Sequence, residues 1–244
     1  MNSISKQLFR ILLFIALISI TGFVAHKPHT ITVRFRHKMG ARDLQLFNET
    51  YTNSFGEPVT VTRFKYYIAH LNFTGAGQKE KILSGKTFLI DEAAPGSKTL
   101  VFTTDGTPPQ VLSFVIGVDS LLNVSGVQTG ALDPLNGMFW TWNSGYIFAK
   151  MEGKSDSSKA PAHYINWDVG GFRSPHNATR KIQLALPASI TNATDPVIVI
   201  DADLLKWFDG DHAIRIAASP LCHQPGKLAM QIADNYSHMF TIAQ

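Results

Sequence analysis

The segment Leu132–Gly153, "LDPLNGMFWTWNSGYIFAKMEG", concentrates side chains that serve either as stacking surfaces or as oxidisable groups. It contains two of the four tryptophans of the chain, Trp140 and Trp142. Both indoles would project from the same face of a strand, because side chains two residues apart share a face. Such a pair suits a hydrophobic core, a stacking platform for carbohydrate or an electron-transfer relay. Core packing is the default interpretation, since one tryptophan buries about 150–250 Å².

The nine histidines are the next candidates for chemistry, because neutral imidazoles bind transition metals. None of them forms the H-x-x-x-H pair or the H-E-x-x-H motif of a helical metal site. A metal site would therefore have to be assembled from separate strands. Imidazoles without thiolates suit copper or zinc better than calcium.

A hydrolytic active site has little support in the sequence. The chain has no G-x-S-x-G nucleophile elbow and no evident pair of carboxylates. Cys222 stands beside His223, but neighbouring side chains of an extended segment point in opposite directions. As the single cysteine, Cys222 also excludes an intrachain disulfide and a cysteine-rich metal centre.

Short strands must position these residues. Alternation of apolar and polar side chains predicts strands at His29–His37, Val59–Phe73, Lys86–Asp91, Lys98–Thr104, Val111–Asp119, Gly145–Gly153, Lys181–Pro187, Asp195–Asp203 and His238–Ala243. Turn sequences rich in glycine and proline separate them. Helices are predicted only at Asp201–Gly210 and Gly226–Tyr236. The pattern predicts an all-β fold, an antiparallel β-sandwich with short helical segments near the C-terminus.

The N-terminus has the layout of a secretory signal. Lys6 and Arg10 precede an apolar run, Ile11–Ile20, which is shorter than the roughly 20 residues that a membrane span requires. We expect residues 1–25 to be a signal peptide and residues 26–244 to be a single β domain. The mature protein would be periplasmic or secreted, without stable insertion in a membrane.

The charge of the chain excludes one class of partner. Charged residues make up 16% of the sequence and the formal net charge is +4. Lysines and arginines are scattered and form no basic stripe, so we expect no nucleic-acid partner.

Several segments in order resemble the MbnP-like family of methanobactin-associated periplasmic proteins and their bacterial relatives. The longest is "IGVDSLLNVSGVQTGALDPLNGMFWTWNSGYIFAKMEGKSDSS" (Ile116–Ser158). Further agreement comes from "FGEPVTVTRFKYYIAHLNF", "FLIDEAAPGSKTL", "VGGFR", "CHQPG" and "IADNYSHMF". The sequence is identified as a member of the type found in Bacteroidetes.

The resemblance implies a protein that is not an enzyme and that is linked to copper. In characterised relatives a tryptophan is oxidised to kynurenine by a partner related to di-haem cytochrome c peroxidases. Trp140 and Trp142 are the candidates for the modified residue, because they lie in the best-matched segment. The implied cofactor is copper, with His163 and either His37 or His70 as ligands.

One residue departs from the family pattern. Relatives commonly carry a histidine two residues before the paired glycines, where this chain has Asp168. His163, five residues upstream, is the alternative donor. The competing hypothesis is a non-catalytic extracellular interaction module that binds no metal and whose aromatic strand is core.

Overall fold

The computed structural model describes residues 29–243, apart from 76, 78, 142 and 143. The predicted signal peptide and Trp142 lie outside the described residues. The described chain forms β1 (His29–Met39), β2 (Arg42–Asp43), β3 (Tyr51–Thr52), β4 (Pro58–Thr74), β5 (Lys81–Ser84), β6 (Phe88–Asp91), β7 (Thr99–Thr104), β8 (Val111–Ile116), β9 (Phe139–Thr141), β10 (Gly145–Lys154), β11 (Tyr164–Gly170), β12 (Phe172–Arg173), β13 (His176–Asn177), β14 (Arg180–Ala185), β15 (Val197–Asp203), β16 (Leu221–Cys222) and β17 (Phe240–Ile242).

Helical structure is limited to short segments. The α-helices are α1 (Ser120–Val124), α2 (Ala188–Thr191) and α3 (Lys227–Ser237). Single 3₁₀ turns occur at Pro95–Lys98, Gly130–Leu132, Pro134–Asn136, Pro161–His163 and Leu204–Trp207. Within the described part of the chain, no helix is long and apolar enough to cross a membrane.

Two sheets form the body of the fold. The first has the order β17-β15-β1-β2, and β7 also pairs with β1. The second has the order β14-β8-β4-β10-β11-β16, with β3, β5 and β6 also on β4, and β9 on β10. Most pairs are antiparallel, as predicted, but β1 pairs in parallel with β15, and β11 with β16. The predicted all-β class is confirmed.

The core is an aromatic layer between the sheets. Phe35 on β1 contacts Tyr66 on β4 and Phe114 on β8, with ring centroids 6.0 and 5.9 Å apart. These rings meet edge to face, the geometry that the quadrupoles of aromatic rings favour. The alternation that predicted β1 and β4 therefore arises from one apolar face on each strand.

The second sheet contains a strand that the predictions lack. In β11, Ile165, Trp167 and Val169 alternate inward, and each is at most 1% exposed. This period-two signal is present in the sequence. The helix predicted at Asp201–Gly210 is wrong: its first three residues extend β15, the next four form the 3₁₀ turn Leu204–Trp207, and Asp209 forms an isolated bridge with Ala213. The helix predicted at Gly226–Tyr236 is confirmed by α3.

The aromatic segment is divided between two structures. Residues 130–141, here called the lid, fold back over the outer face of the second sheet and end in β9. Asp133 accepts a hydrogen bond of 2.9 Å from the Leu135 amide, and Gly137 adopts a left-handed conformation with φ of 70°. The "DPLNG" turn thus sets the direction of the chain into β9, as its sequence predicts.

Candidate functional site

A row of four charged side chains crosses the outer face of the second sheet. Asp91, Lys65, Lys150 and Asp168 lie opposite one another on β6, β4, β10 and β11. The Lys65 ammonium lies 2.9 Å from Asp91 Oδ2, and the Lys150 ammonium lies 2.7 Å from Asp168 Oδ1. Each lysine is thus paired with the carboxylate on its outer side, which separates two like charges on neighbouring strands.

The Lys150–Asp168 pair is largely removed from solvent. The two side chains are 7% and 10% exposed. Glu152 Oε1 lies 3.1 Å from the Lys150 ammonium, and Glu152 also accepts hydrogen bonds of 2.7 and 2.9 Å from Arg63. Burial raises the pKa of Glu152, but Lys150 and Arg63 outweigh it and hold the pKa below its ordinary value. The group is therefore a balanced set of ions.

The lid is fastened to this face by two tyrosines. Tyr67 on β4 donates a hydrogen bond of 3.0 Å to the carbonyl of Ala131, and Tyr146 on β10 donates one of 2.7 Å to that of Leu132. Their rings lie 5.9 Å apart, and Phe139 packs 4.8 Å from Tyr146. Burial raises the pKa of both tyrosines, which keeps their hydroxyls protonated as donors.

Trp140 is the lid residue with the least complete set of partners. Its half-buried indole packs on Gly170 of β11, where a Cβ atom would lie 3.0 Å from Cζ3. The Nε1 atom is shielded from solvent and has no hydrogen-bond acceptor among the described residues. An unsatisfied buried donor costs about 1–3 kcal/mol, and such a group in a native fold calls for an explanation.

The other two described tryptophans are fully satisfied. Trp167 and Trp207 are 0% exposed and stack with their ring planes 3° apart. Trp167 Nε1 donates to the carbonyl of Ser219 at 2.8 Å, and Trp207 Nε1 contacts the sulfur of Met239 at 3.3 Å. These indoles are core, so Trp140 is distinguished from them by both exposure and hydrogen bonding.

A family model described as MbnP matches residues 28–224 of the chain. The chain belongs to the MbnP family. The solved structure of MbnP from Methylosinus trichosporium is similar, with a TM-score of 0.58 and 16% identity over 77% of this chain and 80% of that chain. At that identity the likeness shows a shared fold. No curated protein matches by sequence.

In this MbnP family member, His37 is a buried structural residue. Its Nδ1 lies 2.6 Å from Glu92 Oε2, and its Nε2 lies 3.1 Å from the Tyr66 hydroxyl. Burial lowers the pKa of His37, which favours the neutral ring that donates to Glu92 and accepts from Tyr66. Both nitrogens are thus occupied, so a metal would have to displace one of these bonds.

The other two predicted histidine ligands, His70 and His163, lie far from each other. His70 has φ of 50° at a bulge of β4 and pairs with Asp119. His163 precedes β11 and contacts the Ser158 carbonyl at 3.1 Å. Because Tyr164 is opposite Lys154, which is opposite Thr60, His163 and His70 are separated by roughly 30 Å along β4, at about 3.3 Å per residue. The structure does not bring the three histidines together.

Asp168 is compensated by a side-chain cation. Asp168 is held by the Lys150 ammonium, and the half-exposed His223 Nδ1 is 4.0 Å from Asp168 Oδ2. Burial raises the pKa of the Cys222 thiol to about 11, which favours the protonated thiol in the metal-free protein. Among the described residues, no group of three or more histidine, cysteine, aspartate or glutamate side chains is arranged to hold a metal. A cation already compensates the carboxylate that departs from the family pattern.

Apart from Asp168, the residues of the charged row were not identified from the sequence. Lys150 and Glu152 alternate with core residues of β10, and Asp168 alternates with those of β11. That alternation assigns them to an outer face, which normally predicts solvent exposure. Their burial under neighbouring chain is a tertiary effect, and no local signal reports it.

Proposed function

We propose that this MbnP family protein is exported and is the substrate, at Trp140, of tryptophan-to-kynurenine oxidation by a di-haem cytochrome c peroxidase-like partner. The observation that carries the proposal is the half-buried indole on the lid, whose N–H has no acceptor among the described residues. Trp167 and Trp207, by contrast, are sealed in the core. The protein itself supplies no catalytic group in this proposal.

The reaction is balanced by peroxide, the oxidant of haem peroxidases. The partner removes electrons from the indole, the C2–C3 bond of the pyrrole ring breaks, and each of two peroxide molecules accepts two electrons, contributes one oxygen atom and leaves one water. Hydrolysis then releases C2 as formate and leaves the arylamine of kynurenine. No step requires a metal bound to this chain.

The residues under the lid favour Trp140 as the position where oxidation ends. Oxidation of a tyrosine requires loss of the phenolic proton to a base. Tyr67 and Tyr146 donate to the carbonyls of Ala131 and Leu132, which accept a hydrogen bond but do not take up the proton. The indole of Trp140 loses an electron without that requirement.

Co-expression with the di-haem partner tests the proposal. We expect mass spectrometry of the intact chain to show the mass change of kynurenine formation, and peptide sequencing to place it at residue 140. Trp140→Phe abolishes the change, whereas Trp142→Phe, the matched control, retains it. Modification at residue 142, 167 or 207, or none with an active partner, contradicts the proposal.

Copper binding stays a separate prediction for this chain. Among the described residues, no group of three or more donor side chains is arranged to hold a metal. Copper uptake is therefore measured on the modified and unmodified proteins in parallel. Uptake by unmodified protein that is lost in His37→Gln, His70→Gln or His163→Gln would assign a ligand. Kynurenine formation is read by mass and does not depend on that result.

A second candidate is an extracellular interaction module without chemistry. Large apolar side chains are exposed near the lid, at Leu121, Val124, Val127 and Leu135, the last of which is 93% exposed. Exposed apolar side chains mark a binding surface when they form one continuous patch. This alternative predicts that Trp140 stays unmodified with an active partner. It also predicts that the double variant Leu121→Ser with Leu135→Ser changes the molar mass of the protein assembly measured by light scattering.

A further inference from the structure

A cavity of about 430 Å³ opens on the outer face of β11, at the end remote from Trp140. We call it the β11 pocket. Its walls include Pro161 and Tyr164 on one side and Leu221 and His223 on the other, and its floor includes Glu152 and Asn166. The volume lies in the range of small-molecule sites, about 300–1,000 Å³. Asn166 and Gly170 are four residues apart, so the pocket lies about 13 Å from the residue on which Trp140 packs.

The first wall is a strained and internally bonded turn. Ala162 and His163 have φ of 54° and 57°, a left-handed conformation that residues with a side chain rarely adopt. The buried side chain of Ser158 donates to the carbonyl of Tyr164 at 2.5 Å, and the amide of Ser155 donates to the carbonyl of His163 at 3.0 Å. Strain of this kind persists where the surroundings enforce it, and it is concentrated at binding sites.

The opposite wall is also fixed. The Asn166 amide donates to the carbonyl of Pro220 at 2.9 Å, and Leu221 lies opposite Asn166 in the parallel β11–β16 pair. The Trp167 indole donates to the carbonyl of Ser219. Two rigid walls make a cavity that is formed before a ligand arrives, which reduces the entropy lost on binding.

The chemistry of the lining is that of an aromatic surface flanked by polar groups. Tyr164 is 51% exposed, and the Lys154 ammonium lies over its ring, 5.7 Å from the centroid. Asn166 Oδ1 is shielded from solvent and has no donor among the described residues. The Glu152 carboxylate and the half-exposed His223 imidazole add acceptors and donors at the rim.

The charges of the floor balance. Glu152 is paired with Arg63 and Lys150, and Asp168 with Lys150. No carboxylate or ammonium of this group is left without an opposite charge to attract an ionic ligand. The lining therefore favours a neutral molecule with both a flat apolar face and several hydroxyls.

We propose that the β11 pocket binds a neutral sugar ring, with one face of the ring on the side of Tyr164 that Lys154 does not cover and its hydroxyls bonded to Asn166, Glu152 and His223. A pyranose presents C–H groups on one face and hydroxyls around its edge. The C–H face suits the aromatic ring of Tyr164, and the hydroxyls suit the polar side chains of the pocket. This binding site is independent of Trp140 and of its oxidation.

Titration of the mature chain with neutral sugars tests the assignment. The probes are glucose, xylose, N-acetylglucosamine and their β-linked tetrasaccharides, followed by amide NMR. At least one probe should shift the resonances of residues 160–166 and 221–223. Tyr164→Ala should weaken its binding by at least about tenfold, because the stacking surface is lost. Asn166→Ala should weaken it by about fivefold, the effect of one hydrogen bond.

Controls separate loss of binding from loss of fold. Tyr164→Phe keeps the ring and should bind within about twofold of the parent, since the hydroxyl is not used for stacking. Phe47→Ala removes an exposed ring elsewhere and should change nothing. Thermal unfolding is recorded for every variant. Absence of shifts with every probe, shifts that map elsewhere, or binding that survives Tyr164→Ala overturns the proposal.

Discussion

The interior between the sheets and the outer face under the lid both contain aromatic rings, but they differ in the hydrogen bonding of their buried polar atoms. In the interior, Trp167 donates to a carbonyl and Trp207 contacts a sulfur. Under the lid, Trp140 Nε1 is shielded from solvent without an acceptor among the described residues. Buried polar groups in native folds are almost always hydrogen-bonded, so this N–H differs from those of the two core indoles.

The same contrast applies to charge. His37, inside, has a pKa lowered by burial and is bonded at both nitrogens, whereas the outer face buries the ions Lys150 and Asp168 as a pair. A buried ion pair is weak evidence for stability, because removal of both charges from water offsets their attraction. The interior thus pairs its polar atoms with hydrogen bonds, whereas the outer face retains an unpaired indole N–H and a buried ion pair. Each prediction below tests that difference.

The largest expected effect is loss of a core indole. Trp207→Ala should lower the free energy of unfolding by about 3–5 kcal/mol, the usual cost of emptying a buried tryptophan site. Trp140→Ala, the matched variant on the lid, should cost less than about 2 kcal/mol, because its ring is half-buried and its N–H is unpaired. Urea unfolding followed by circular dichroism measures both. Equal losses would show that the lid is as integral to the core as Trp207.

Breaking the buried ion pair should have the next largest effect. Lys150→Met leaves Asp168 without its cation and should destabilise the fold by about 3 kcal/mol. The double variant Lys150→Met with Asp168→Leu should recover most of that loss, because no lone charge remains buried. Urea unfolding of the single and double variants decides the matter. A double variant no more stable than the single one would place the cost in lost packing.

His37 should give a smaller effect that depends on pH. Burial lowers the pKa of His37 from 6.5 in the folded protein. As the pH falls below 6.5, the unfolded chain therefore binds a proton at this residue before the folded chain does, which favours unfolding. Its contribution is present above about pH 6.5 and is lost as the pH falls through the folded pKa. His37→Gln should cost about 1–2 kcal/mol at neutral pH and flatten this dependence. Thermal melts between pH 7.5 and 5.5 measure the slope, and an unchanged slope would contradict burial of the neutral ring.

The smallest effect is expected at the exposed apolar residues. Leu135→Ser should change the free energy of unfolding by less than about 0.5 kcal/mol, since the side chain is 93% exposed. Denaturant unfolding measures it against the parent protein. A loss above about 2 kcal/mol, the lower end of the range for truncating a buried leucine, would show that Leu135 belongs to the folded core of the lid.

Much of the fold could be predicted because its strands have one apolar face. The alternation of Ile31, Val33 and Phe35 marks β1, and all three side chains lie in the core. Long strands such as β4 and β10 and the helix α3 were predicted for the same reason. The failures occur where a local pattern is short or ambiguous, as at Leu204–Trp207, where a single 3₁₀ turn follows a strand.

The sequence by itself determined which residues face the core, where the chain turns and to which family it belongs, because these depend on local periodicity and motif. Only the tertiary structure decided that Trp140 packs on Gly170, that Lys150 compensates Asp168 and that His37, His70 and His163 are apart. These relations join residues of different strands, and the register that aligns those strands is set by the packing of whole sheets. The spacing of residues along the chain does not indicate this register.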